Sequence, residues 1–328
     1  MGGRRALITG VTGQDGSYLA EFLLNKGYQV YGLVRRTSVD SGERLWRIRG
    51  ILDKMALING DMTDQASLER ALAQVEPHEI YNFAGQSFVK YSFEAPVYTA
   101  DSTGLSAVRL LEATRLLCPQ ARIYQASSSE MFGDSVECPQ HEMTPFNPKS
   151  PYAFAKVFAH QAMVGYRAFY GMFICCGIAF NHESERRGLD FVTRKITATG
   201  ARIKADLEKT LPLGNLEAKR DWSYAPEVVE TAWRMLQQDQ PDDYVLASGE
   251  SHSVREFLEE AFRLLELDPE EHVVIDERCM RPVDVSTLCG DAGKARQKLG
   301  WNPQVRFKEL VRIMVEADCA RVGRAVEV

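Results

Sequence analysis

The stretch that most limits what this chain can become is "ALITGVTGQDG", Ala6–Gly16. A short apolar run is stopped by Gly10, and Gly13 and Gly16 follow at three-residue spacing. Such a run reads as a buried parallel strand. Next comes "SYLAEFLLNKG" (Ser17–Gly27), which puts Leu19, Phe22 and Leu23 on one helical face and stops at glycine. Glycines between a first strand and a first helix permit a tight turn and let backbone N–H groups reach a pyrophosphate at the helix N-terminus. An ordinary strand–helix turn is the alternative. The spacing, the flanking elements and the place in the chain together favour dinucleotide binding.

The first half repeats the same rhythm. Strands are expected at Gln29–Val34, Ala56–Asp61, Glu79–Gly85 and Arg122–Ser129, with helices at Gln65–Val75 and in "GLSAVRLLEATRL". Alternation of this kind predicts an α/β, Rossmann-type doubly wound parallel sheet. After Cys176 the rhythm loosens. "RRGLDFVTRKITATGARIKADL" and "SVREFLEEAFRLLEL" read as helices, and Asp243–Gly249 as one more strand. The expectation is a smaller, mostly helical substrate-binding part closing a cleft against the sheet.

Composition narrows the function. The 328 residues carry a net charge of −6, which argues against a nucleic-acid binder but not against a small anionic ligand held by a few arginines. Seven cysteines with no Cys-x-x-Cys spacing suit a reducing compartment, so a cytoplasmic location is expected. The six histidines form no His-x-x-x-His pair, which leaves a metal site without support. No signal-peptide pattern and no membrane-length apolar run is seen, so a membrane association is not expected.

An NAD site offers a carboxylate to the ribose at the end of the second strand. Here the sequence is "VRRTS", with Arg35 and Arg36 in that place. Guanidiniums can hold a 2′-phosphate through charge-assisted bonds of roughly 1.5–3 kcal/mol each. The reading is NADP. Asp61 and Met62, after the third strand, are candidates for the adenine.

Tyr152 and Lys156 in "SPYAFAK" are one helical turn apart and face the same side. A nearby ammonium favours phenolate, so the tyrosine is expected to have a lowered pKa and to take a proton from a sugar hydroxyl. "ASSSEMFG" contributes Ser128, which can bond the reacting oxygen, and Glu130. A serine with the Tyr–Lys pair would suffice for a dehydrogenase or an epimerase. A carboxylate there adds a base for a carbon acid, although a loop carboxylate reads equally well from pattern alone.

These residues resemble the extended short-chain dehydrogenase/reductases, and within them the GDP-mannose 4,6-dehydratases. The strings that carry the resemblance are "ALITGVTGQDGSYLAEFLLNKGY", "RRTS", "QASSSEMFG", "TPFNPKSPYAFAK", "FNHESERRGLDFVTRKI", "LGNLEAKRDW" and "KLGWNP". The resemblance implies Ser128, Glu130, Tyr152 and Lys156 as catalytic. Around NADP it implies Gly10, Thr12, Gly13, Gln14, Asp15 and Gly16, then Arg35, Arg36, Asp61 and Met62. The same set takes in Phe83, Ala84, Gln86, Ser87, Tyr98, Lys156, His182 and Arg187. Near a GDP-sugar it implies Ser87, Ser128, Glu130, Tyr152, Asn181, Lys195, Arg220, Arg281 and Asp284. Residues 1–178, with returning segments near 220–250, would then be the NADP-binding domain, and 179–328 mainly the sugar-nucleotide part.

The chain departs from the family pattern at Ser128 (usually threonine), Gly85 (alanine), Glu185 (proline), Ser223 (glycine) and Asp284 (glutamate). The implied reaction oxidises C4 of the mannose, removes the C5 proton, expels water from C6 and returns the hydride there. A related NADP-dependent epimerase or reductase is the alternative, and a non-enzymatic NADP-sensing protein a more distant one. The resemblance further implies a homo-tetramer, with a dimer as fallback, in which Arg35–Arg47 reaches a neighbouring subunit.

Overall fold

The computed structural model describes residues 3–37 and 41–326. In chain order its strands are β1 (Arg5–Thr9), β2 (Gln29–Val34), β3 (Ala56–Asn59), β4 (Glu79–Asn82), β5 (Arg122–Ser128), β6 (Ile174–Ala179), β7 (Asn181–Glu183), β8 (Leu211–Leu213), β9 (Lys219–Tyr224), β10 (Asp243–Leu246), β11 (Ser251–Ser253) and β12 (Val273–Ile275). Seven of them form one parallel sheet in the order β10–β6–β5–β4–β1–β2–β3. β1 lies between β2 and β4, with Thr9 opposite Leu33 on one side and Asn82 on the other. The chain therefore winds outward in both directions from β1. The crevice beyond the carboxyl ends of β1 and β4 is where such sheets take ligands.

Period-two alternation sends successive residues of a strand to opposite faces. Ala6 and Ile8 join Leu19 and Leu23 of helix Gln14–Asn25 and Val228 and Val229 of helix Ala225–Met235. Leu7 joins Leu68, Leu72, Leu110, Leu111 and Met163 on the other face. Cys175 and Cys176 likewise part to opposite faces. A third core, with Ile196, Trp222, Phe257, Phe262 and Leu310, fills the space between helices Val192–Lys204, Val254–Leu265 and Phe307–Val326. Two small sheets, β11–β9–β7 and β12–β8, edge this part.

The expected Rossmann sheet is present, with several local differences. β6 is not among the strands expected from sequence, nor are the short strands of the small sheets. The helix expected from residue 186 begins at Val192. The preceding residues form a loop because the carbonyls of Glu185 and Arg187 both accept from Arg194 Nη1 at 2.9 Å. Three expected strands stop two or three residues early, at Asn59, Asn82 and Leu246. No helix among the described residues is long and apolar enough to cross a membrane.

Candidate active site

The glycine turn is built by close approach. Gly10 has φ +69°, a left-handed conformation, and a Cβ there would stand 2.9 Å from Ala84 N. A Cβ on Gly16 would stand 2.4 Å from the Gly10 carbonyl oxygen. Side chains at these positions would push the first helix away from β1 and fill the cradle at its N-terminus. The residues present thus fit a dinucleotide pyrophosphate, which needs backbone N–H groups at contact distance.

From this cradle a cavity of about 520 Å³ runs along the carboxyl ends of the central strands to Ser128, Glu130, Tyr152, Lys156 and Arg281. Of the residues expected at the cofactor, all line it except Arg36 and Gln86. Arg36 is exposed. Gln86 instead staples a turn, its side-chain amide donating to the Phe88 carbonyl at 2.6 Å. Among the described residues between β2 and β3, Arg35 lines the cavity and no carboxylate does.

The wall opposite the cradle is tied to it by charge. His182 Nε2 meets Asp15 Oδ2 at 2.9 Å, and its Nδ1 meets the Phe180 carbonyl at 2.8 Å. Two acceptors on one ring call for the doubly protonated form. Burial alone would lower the His182 pKa, but the Asp15 charge and hydrogen bond override it and raise it. Burial would likewise raise Asp15, yet His182 brings it down to about 2. Gln14 adds two bonds to the same segment, donating to the His182 carbonyl and accepting from Ser184 Oγ.

Tyr152 and Lys156 ride on helix Pro151–Tyr170. Ser150 caps its start by accepting from Ala153 N at 3.1 Å, Pro151 fits the first turn, and Gly171 at φ +64° ends it. The expected lowering of the Tyr152 pKa does not occur. Burial, aided by the Glu130 charge and opposed by the Ser128 hydroxyl, pushes it up to about 12. Burial also pushes Lys156 down to about 8, and its Nζ donates to the Ala126 carbonyl at 2.7 Å. The ammonium lies 5.7 Å from the centre of the Tyr152 ring. Desolvation of the phenol therefore outweighs the neighbouring cation.

Glu130 is buried and pairs with Arg281 Nη1 at 3.3 Å. Arg281 is 3.7 Å from Asp284, which in turn accepts from Arg220 Nη2 at 2.8 Å. Of the residues expected near the sugar nucleotide, Lys195, Arg220 and Asp284 do not line the cavity, while the others do. Arg220 is held behind it by the Val285 carbonyl at 2.8 Å, and Lys195 Nζ contacts Cys279 Sγ at 3.3 Å.

Two arginines that line the cavity, Arg44 and Arg47, are not singled out by the sequence as ligand contacts. Arg44 Nη1 donates to the Arg35 carbonyl and to Thr37 Oγ1, fixing the loop that presents Arg35. Arg47 donates to the Thr12 carbonyl, and burial, aided by neighbouring arginines, pushes its pKa down to about 10. The basic run containing both reads, in sequence, as an interface segment. Residues 38–40 of that segment lie outside the described residues.

The sequence model of the family described as "GDP-mannose 4,6 dehydratase" matches residues 7–314. The chain is 52% identical over 324 residues to GDP-mannose 4,6 dehydratase 1 of Arabidopsis thaliana, covering 95% of this chain and 89% of that protein. Its structure is similar to UDP-glucose 4-epimerase of Thermus thermophilus in complex with NAD, with a TM-score of 0.83, 26% identity and coverage of 96% and 98%. It also shares the fold of RMD from Pseudomonas aeruginosa complexed with NADPH, with a TM-score of 0.79, 22% identity and coverage of 97% and 99%.

Proposed function

The chain belongs to the GDP-mannose 4,6-dehydratase family, and from that premise we propose how its own residues carry out the reaction and which cofactor they hold. It is a hydro-lyase that converts GDP-mannose to GDP-4-keto-6-deoxymannose. It uses a nicotinamide dinucleotide, seated on the Gly10–Gly16 turn. The finer choice is NADP, supported by Arg35 lining the cavity and Arg44 bracing its backbone. When bound, the nicotinamide accepts a hydride and gives it back.

Tyr152 serves as the base for the C4 hydroxyl. With its pKa near 12, the resting side chain is the phenol, which releases its proton to solvent before, as phenolate, it accepts the proton of the C4 hydroxyl. The Ser128 hydroxyl stabilises the oxygen that develops charge there, and Lys156 supplies positive charge from behind. Once C4 is a ketone, the C5 proton is acidic. Glu130 removes it, and the C6 hydroxyl departs with a proton as water. The hydride taken from C4 ends on C6 and a proton returns to C5, so the sum is loss of one water. Arg281 orients Glu130 and offers positive charge to the diphosphate of the substrate. Asp284, anchored by Arg220, steadies Arg281.

The single observation that carries this reading is the meeting of Glu130 with Tyr152, Ser128 and Lys156 at one end of a cavity whose other end is the glycine cradle. A plain epimerase has no use for that carboxylate. Residues 1–178 with the returning 220–250 segments serve the cofactor, and 179–328 mainly the sugar nucleotide, in keeping with β10 joining the large sheet. A homo-tetramer, or failing that a dimer, is supported by the partly exposed Trp46 and by Phe154 and Phe158 standing half-exposed on the catalytic helix. A cytoplasmic setting is supported by seven free cysteines. The deciding experiment incubates the protein with GDP-mannose and NADP and weighs the product. Loss of one water without net NADPH consumption is expected. A product of unchanged mass, or steady NADPH demand, would replace this reading with epimerisation or reduction.

A further inference from the structure

One buried contact between the two catalytic elements takes no part in the chemistry above. Ser127 Oγ meets His160 Nδ1 at 2.9 Å. Both side chains are buried, at 5% and 4% exposure. Ser127 sits in β5 directly before Ser128, and His160 lies one helical turn beyond Lys156, which lies one turn beyond Tyr152. These three helix positions form a single stripe.

Lys156 holds the Ala126 carbonyl, His160 holds the Ser127 hydroxyl, and Tyr152 lines the same cavity as Ser128. Two successive strand residues are gripped by two successive turns of one helix. The apolar contacts between helix and sheet are non-directional. Hydrogen bonds are directional. The imidazole cannot swing away, because Phe146 packs edge-on against it with centroids 5.2 Å apart and itself leans on Phe132. Burial pushes the His160 pKa down, and the neighbouring Asp243 and Arg167 act on it in opposite senses, so the ring is neutral near neutral pH.

We propose that His160 is a positioning residue which, through Ser127, sets the register between the strand bearing Ser128 and Glu130 and the helix bearing Tyr152 and Lys156. This rests on the assignment of those four as the working groups. Reacting groups must be held to within about half an ångström of productive geometry, and an error of about 1 Å can cost about a hundredfold in rate.

The test measures kcat and KM for GDP-mannose, together with NADP affinity, in the full-length protein and its variants. His160→Leu and Ser127→Ala should each lower kcat about ten- to a hundredfold, while KM and NADP affinity stay within about twofold. His160→Asn, whose amide can place a polar atom where Nδ1 stands, should recover most of the lost kcat. The double variant should be no slower than His160→Leu alone, because both changes break one bond. If His160→Leu does not fold, Ser127→Ala against Ser127→Thr carries the same comparison, with threonine restoring the rate. The proposal fails if His160→Leu keeps the parental kcat, if His160→Asn is as slow as His160→Leu, or if the two single losses multiply. Tyr152→Phe is run alongside. Retained activity there would overturn the assignment of the working groups themselves, a failure distinct from that of His160.

Discussion

The two ends of the cavity are built by different means. The cofactor end is backbone: Gly10 and Gly16 let β1, β4 and the first helix approach to distances at which a Cβ would collide. The other end is side chain: Glu130 and Arg281 on the wall, with Asp284 and Arg220 in a row of alternating charges behind them, drawn from three separate stretches. The first arrangement is rigid before any ligand arrives. The second consists of ion pairs that can exchange partners, since Arg281 facing Glu130 at 3.3 Å can turn to an anionic diphosphate. On the proposed reading, a cradle serves a cofactor that is regenerated in each cycle, and exchangeable pairs serve a substrate that must enter and leave.

The largest expected effect falls on the substrate end. Glu130→Gln keeps the shape and removes the base, and should slow dehydration about 10²- to 10⁴-fold. It should still allow C4 oxidation, seen as transient NADPH absorbance in a single turnover, but no exchange of the C5 proton with deuterated water. Tyr152→Phe should abolish even the transient. If Glu130→Gln dehydrates at the parental rate, the carboxylate belongs to the loop and not to the chemistry.

A smaller effect is expected at the cofactor end, where Arg35→Asp replaces attraction for a 2′-phosphate with repulsion. Loss of one charge-assisted bond of roughly 1.5–3 kcal/mol corresponds to about a ten- to a hundredfold weaker NADP affinity. NAD affinity should change little. Equal losses for both, measured by titration, would show that Arg35 does not read the phosphate.

The same contrast decides what could be read from sequence. The cradle was legible because everything it needs lies within Ala6–Gly16. Tyr152 and Lys156 were legible because four residues is one helical turn. Glu130 and Arg281 are 151 residues apart, and no local pattern links them. Lys195, Arg220 and Asp284 were placed at the sugar nucleotide by resemblance alone, and all three stand outside the cavity wall. For Tyr152 the sequence displayed the neighbouring cation but not the burial, which sets the opposite sign of shift. β6 escaped notice because "ICCGIA" is buried on both faces and so has no alternation to detect. His160 had no pattern at all, since its partner is on a different element.

The ion pair that ties the cradle to the wall opposite it should leave a mark on acid stability. Asp15 is held at about 2 in the folded protein, against roughly 3.9 when unfolded. A depressed carboxylate stabilises the fold above its unfolded pKa, and that contribution is lost as pH falls through the folded value. The loss belongs between about pH 4 and 2 and amounts to about 2 kcal/mol. Asp15→Asn should flatten the melting temperature across that window. It should also lower the His182 pKa, which Asp15 now raises, as read by NMR titration. An unchanged acid slope would mean the pair does not hold the wall to the cradle.

The smallest effect tests whether the catalytic helix depends on its own local signals or on the packing around it. Ser150 accepts from Ala153 N at 3.1 Å and is buried, so Ser150→Ala leaves an N–H at the helix start without its acceptor. Removal of such a cap costs about 1 kcal/mol. The helix is also pinned by Lys156 on Ala126 and by His160 on Ser127, and these bonds lie beyond the first turn. Ser150→Ala should therefore lower stability by about 1 kcal/mol in urea denaturation, while kcat falls less than about threefold. A large drop in kcat with unchanged stability would reverse the argument. It would mean that Tyr152, only two residues from the cap, takes its position from the helix start and not from the strand beside it.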